Sequence, residues 1–197
     1  WMMKPDGSER TKLTEGEWEI HWFDMLPDGI LFQANREEHH QWQLYHLDIG
    51  TRTVTRLSSR DGSYESPVLA KDGTFIVASY STFNSPDELV RVPTHAAPAV
   101  TAAAANGAPP DLGEKLLTST VPAEFRRVRW VMPEIVHFTS RDGATVPAMI
   151  YKPAVIDSSK RYPVVVFVHG AGYLQNVYRG WSYYYRETMF HTRLVQK

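Results

Sequence analysis

Cysteine is missing from the chain, so no disulfide framework, thiolate nucleophile or thiolate metal ligand can form, and cysteine usage leaves the redox compartment open. Charge imbalance is missing too: 21 basic residues face 22 acidic ones, for a net charge of −1. A nucleic-acid footprint or a polybasic membrane patch needs a clustered excess of one sign, and the charges here are spread along the chain. No apolar run approaches the roughly 20 residues that cross a bilayer, and no signal-peptide pattern opens the sequence. Trp1-Met2-Met3-Lys4 reads as a point inside a longer protein, so the lack of a leader says little about localisation. What the chain does have is material for a core. At 197 residues, 43% hydrophobic and 12% aromatic, it can form one large domain or two small ones.

The first half repeats itself. Leu13-Thr14 is matched by Leu57-Ser58, Asp28-Gly29 by Asp72-Gly73, and Leu44-Tyr45-His46-Leu47 by Leu89-Val90-Arg91-Val92, at offsets of 44, 44 and 45. A period of about 40 to 50 residues built from short strands and turns belongs to propeller blades, each a four-stranded sheet. In the first unit, β-rich segments run over 18–24, 30–35, 42–49 and 53–58, with turn signals at Pro27-Asp28-Gly29 and Gly50-Thr51. The second unit places strands over 64–70, 74–81 and 87–94, with a tight turn at Lys71-Asp72-Gly73 and a fourth strand displaced to 114–119. The displacing stretch, 96–110, is rich in alanine and proline and too small-sided to build a core; a mobile surface insertion is expected there. Two blades cannot close a propeller, so further blades are expected before Trp1.

From Pro133 the pattern changes. Segments 134–139 and 145–151 flank Ser140-Arg141-Asp142-Gly143 as a hairpin, and a polar loop leads to Tyr162-Pro163-Val164-Val165-Val166-Phe167-Val168. That unbroken β-branched run predicts a central strand buried on both faces. It ends in the glycine-rich turn His169-Gly170-Ala171-Gly172-Tyr173, and 181–196 has helical character with Tyr184, Met189 and Leu194 among its apolar positions.

Propeller repeats, then a Ser-Arg-Asp-Gly hairpin, then Tyr-Pro-Val-Val-Val-Phe-Val-His-Gly-Ala-Gly-Tyr-Leu-Gln: in this order the features resemble the prolyl oligopeptidase family of serine peptidases, closest to its dipeptidyl peptidase IV branch. His-Gly-x-Gly alone is shared with many lipases and esterases, so the ordered combination carries the resemblance. It implies β-propeller blades over 1–127 followed by the N-terminal part of an α/β-hydrolase domain over 128–197. It also implies a Ser-Asp-His triad, here expected beyond Lys197, and cleavage of peptides after proline or alanine near the N-terminus. Homodimerisation of the longer protein and a periplasmic or extracellular location are further implications of the family.

Within that frame the glycine turn is the oxyanion loop: His169, Gly170, Ala171, Gly172 and Tyr173. Fixed donors aimed at a tetrahedral oxyanion are worth roughly 3 to 4 kcal/mol each, and N–H groups of a glycine-rich turn suit the task. In dipeptidyl peptidase IV relatives a tyrosine just after the strand donates its hydroxyl, and the matching position here is His169. Backbone donors around Gly170 and Ala171 are expected, with Tyr173 or His169 as the side-chain donor; the alternative confines His169 to anchoring the loop through nearby backbone.

Two decoys need weighing. Gly180-Trp181-Ser182-Tyr183-Tyr184 imitates a nucleophile elbow, yet it has no buried strand before it and bulky residues after it, so Ser182 is not expected to be the nucleophile. Glu37-Glu38-His39-His40 imitates a metal site or an amine-binding glutamate pair, but adjacent residues rarely converge on one ion; a solvated loop between strands is expected. Arg36, Arg126, Arg127 and Arg129 could meet substrate carboxylates, although scattered surface arginines usually do nothing specific. Neither a metal nor a cofactor is expected. Peptides are the expected partners, and residues 1–197 alone should lack activity. An α/β-hydrolase acting on carboxylic esters, or a noncatalytic propeller scaffold, are the other readings the sequence leaves open.

Overall fold

The computed structural model describes residues 1–95, 112–170, 172, 174–182 and 186–197. It divides into two compact units, the first formed by Trp1–Tyr80 and Asp87–Thr120, the second by Ser81–Pro86 and Val121–Lys197.

The repeat becomes two four-stranded sheets. The first consists of β1 (Ile20–Met25), β2 (Gly29–Ala34), β3 (Gln43–Asp48) and β4 (Val54–Arg56) in sequential order, antiparallel throughout. The second repeats that order with β5 (Ser63–Leu69), β6 (Phe75–Thr82), β7 (Ser85–Pro93) and β8 (Lys115–Leu116). Both units of the repeat turn from first to second strand at Asp-Gly. Leu26 and Gly29 exchange backbone hydrogen bonds around Pro27-Asp28, and Gly73, at φ +72°, closes the turn by donating to the Ala70 carbonyl at 2.8 Å. In the second turn the left-handed backbone at Gly73 is why glycine follows the aspartate.

Alternation along the strands builds the core. Leu26, Leu31, Leu44, Leu57, Tyr64, Ile76, Ala78, Val90 and Val92 form one buried cluster drawn from both sheets. The other face of the first sheet buries Phe32, Ala34, Tyr45 and Leu47 beneath Leu13 and Trp18. Polar side chains stitch the sheets together: Gln33 Nε2 donates to the Tyr64 carbonyl at 2.7 Å and to Glu65 Oε2 at 2.9 Å, and Gln41 and Gln43 both donate to the Gly62 carbonyl, at 2.7 and 2.8 Å. Strand β8 is two residues long where six were expected. Glu88 on β7 holds the chain that follows it, accepting from the hydroxyl of Thr118 and from the backbone N of Thr120 at 2.6 Å. The insertion expected at 96–110 lies outside the described residues.

In the second unit, the expected hairpin forms as β9 (Glu134–Thr139) and β10 (Thr145–Ile150), closed by Gly143 at φ +89°. A four-residue turn of helix, α1 (Ala123–Arg126), precedes it, and α2 (Arg186–Val195) ends the chain. Phe125, Trp130 and Trp181 meet with ring centroids 4.7 to 5.5 Å apart.

Two expectations fail here. The run 163–168 forms no strand, and Val164, Val165, Val166 and Val168 are 71–82% exposed. A strand needs a hydrogen-bonding partner at its edge, and none is paired with this segment among the described residues; propensity without a partner leaves it extended and wet. Helix α2 also turns a different face inward: Met189 and Leu194 are more than 40% exposed, while Thr188 and Thr192 are buried. Thr192 Oγ1 accepts from the Val131 backbone N at 3.3 Å, so the inner face is small and polar instead of apolar.

Candidate functional site

The glycine turn is open. His169, Gly170 and Gly172 are exposed, and a Cβ built on either glycine would meet nothing within 4 Å. Among the described residues the His169 ring bonds locally, Nδ1 donating to the Gly170 carbonyl at 2.8 Å. Ala171 and Tyr173, the other expected members of the loop, lie outside the described residues.

Nearby in the same unit, a hollow of about 160 Å³ is lined by Phe83, Met149, Tyr151, Leu174 and Trp181, with Ser182 and Glu187 at its polar end. Ser182 donates its hydroxyl to Glu187 Oε2 at 2.6 Å, and Asn176 Nδ2 donates to Glu187 Oε1 at 2.5 Å. A nucleophilic serine needs a base that can carry its proton onward and in turn be oriented by a third group. A half-buried carboxylate that already accepts two hydrogen bonds does not pass a proton onward in this way, so the bond fits a structural serine. Burial raises the pKa of the Tyr151 phenol and lowers that of the His191 imidazole, whose rings pack 4.9 Å apart.

Between β2 and β3, the Glu37 to His40 run is less solvated than its composition implies. Glu37 accepts from the Tyr45 hydroxyl, and His40, only 8% exposed, places Nε2 2.7 Å from Glu38 Oε2. The loop therefore latches back onto its own blade. Arg36 pairs with Glu37 at 3.3 Å, and Arg126 Nε donates to the Val121 carbonyl at 3.1 Å. Both arginines have local roles.

A different cluster, spread over the sequence, does converge. Asp28 in the β1–β2 turn, His46 on β3 and His95 just after β7 bring one donor atom each within 4.8 Å of the others. The carboxyl of Asp28 is held below the usual carboxylate range, first of all by its hydrogen bond with His95. Sequence reading missed this group because its members lie far apart along the chain; the aligned Asp28 and Asp72 turns of the repeat were the nearest available signal.

Comparison with known proteins places these elements. The family described as the dipeptidyl peptidase IV (DPP IV) N-terminal region matches residues 1–87. Dipeptidyl peptidase 8 of Mus musculus is 25% identical over 194 residues, covering 92% of this chain and 20% of its own length, and the Homo sapiens protein of the same name gives the same figures. The crystal structure of Porphyromonas gingivalis dipeptidyl peptidase 4 superposes with a TM-score of 0.75 at 17% identity, covering 97% of this chain and 25% of that one. The chain is similar to dipeptidyl peptidases of this type, and over residues 1–87 to their N-terminal region. Its two four-stranded sheets thus have the fold of propeller blades. The chain spans about a fifth of the length of the curated relatives it matches. Among its described helices none is long and apolar enough to cross a membrane.

Proposed function

We propose that this chain forms part of a serine peptidase that releases dipeptides, or cleaves short peptides, after proline or alanine. The observation that carries the reading is the match to dipeptidyl peptidases over 92% of the chain, taking in the blades and the glycine turn alike. In this reading residues 1–127 are blades that restrict access to the catalytic centre. Residues 128–197 begin an α/β-hydrolase domain, and the triad serine, aspartate and histidine come from parts of the protein outside 1–197. Peptides are the partners, and the longer protein assembles as a homodimer.

The chemistry assigns this chain the electrostatic share of the work. Serine oxygen attacks the scissile carbonyl while histidine takes its proton; the same proton then goes to the leaving amine, and water hydrolyses the acyl-enzyme. The carbonyl oxygen becomes an oxyanion in both halves of the reaction. Amide N–H groups at Gly170 and Ala171 are its donors, Gly170 and Gly172 leave the space a substrate carbonyl needs, and Tyr173 or His169 adds a side-chain donor.

Steady-state kinetics of the whole protein on a Xaa-Pro anilide test the assignment. Ala171→Pro deletes one N–H and should lower kcat about 10²- to 10³-fold with little change in KM, while Ser182→Ala should leave both unchanged. Loss of turnover in Ser182→Ala would move the nucleophile into this chain. Hydrolysis of short acyl esters with none of the anilide would replace the peptidase by an esterase.

A further inference from the structure

We infer that Asp28, His46 and His95 form a binding site for a divalent transition-metal cation of the zinc type, clipping the first blade to the second.

Geometry and burial both argue for a ligand. Asp28 is bidentate in its reach: Oδ2 lies 2.9 Å from His95 Nε2 and Oδ1 lies 3.8 Å from His46 Nε2. His46 is the telling member. Its side chain is only 10% exposed and its Nε2 is buried without a hydrogen-bond partner, an unfavourable position unless something else satisfies it. Its Nε2 faces the carboxylate from beyond hydrogen-bond range. Gly29 is what admits it, because a Cβ at that position would lie 2.2 Å from Nε2 and 2.4 Å from the Leu47 carbonyl.

The donor set selects the cation class. Two imidazoles and one carboxylate suit zinc and its neighbours, which bind such ligands at about 2.0 to 2.2 Å, whereas calcium and magnesium prefer all-oxygen cages. Tetrahedral coordination at that range sets donors about 3.3 Å apart. The 2.9 and 3.8 Å to Asp28 bracket this value and the two histidine nitrogens lie within 4.8 Å of each other, so side-chain rotations close the site. The His95 ring is held from its other side as well: Thr94 Oγ1 lies 3.2 Å from His95 Nδ1 and itself donates to the Gly73 carbonyl at 2.8 Å. Such outer contacts orient a ligating ring. Asp28 and His95 both line an open hollow of about 430 Å³, which leaves the remaining coordination position to water.

Because Asp28 and His46 belong to the first blade and His95 follows a strand of the second, a bound cation joins elements that the chain connects only through intervening strands and turns. A structural role follows from that placement. Independently of any peptidase activity, zinc binding would raise the melting temperature of the protein by mass action.

Calorimetric titration of the protein with zinc chloride, paired with the visible absorption of a cobalt(II) complex, tests the proposal. One equivalent is expected to bind with a raised melting temperature. His95→Ala, at an exposed position, and Asp28→Asn, close in size, should each weaken binding about tenfold or more. His137→Ala, an exposed histidine outside the cluster, should bind as the parent does. Retention of the full equivalent by both cluster variants, or no binding by the parent protein, would overturn the site.

Discussion

At the scale of single residues, Glu114 in the first unit is a carboxylate whose side chain is only 2% exposed. A carboxylate removed from water must recover the hydrogen bonds it loses, or burial is prohibitive. Glu114 recovers them from the Ser59 backbone N and Oγ and from the Tyr64 hydroxyl at 2.7 Å, and the Arg60 guanidinium forms an ion pair with it at 3.2 Å. Burial, and then the negative charge of Glu114, raise the pKa of the Tyr64 phenol, so it remains a donor at any physiological pH. Glu114→Ala should therefore cost about 3 kcal/mol, seen as a lower denaturation midpoint by circular dichroism, since it strands three donors at once. A loss below about 0.5 kcal/mol would show that water replaces the carboxylate. Nothing local in the sequence marks this residue, because its partners lie some 50 positions away. The same distance hid Asp28, His46 and His95 from a reading that looked for ligands in one run and weighed only Glu37 to His40.

Elements divide by whether their signal is self-contained. The blade hairpins were legible because alternating apolar residues and Asp-Gly turns specify both strands and their register within a dozen positions. The hairpin of β9 and β10 was legible for the same reason, with only the end of β10 falling one residue short of the expected 151. Burial of 163–168 was not, since a continuous apolar run states a demand for partners without supplying them. Helix α2 was half legible: its position followed from composition, but its inward face depends on Thr188 and Thr192 fitting against other parts of the unit. The exposed valines have a measurable consequence. Six or so consecutive β-formers without charge are an aggregation template. Val166→Asp should reduce self-association of residues 1–197 severalfold by light scattering at equal concentration, and an unchanged signal would place the sticky surface elsewhere.

For the molecule as a whole, the blades carry the match to the dipeptidyl peptidase IV N-terminal region and the second unit carries the proposed chemistry. The two parts differ in how they are held. In the first unit, apolar clusters and a polar seam of Gln33, Gln41 and Gln43 fix the sheets to each other. In the second, the loop expected to stabilise an oxyanion is exposed, with its histidine bonded to its own turn. Such a loop becomes a catalytic device only when a nucleophile and a substrate carbonyl are set against it. The central claim is therefore about what the longer protein releases. Mass spectrometry of its products from an unblocked peptide with proline second is the most direct test. The account predicts an N-terminal dipeptide and a peptide shortened by two residues. An uncut peptide, or release of single amino acids, would contradict it.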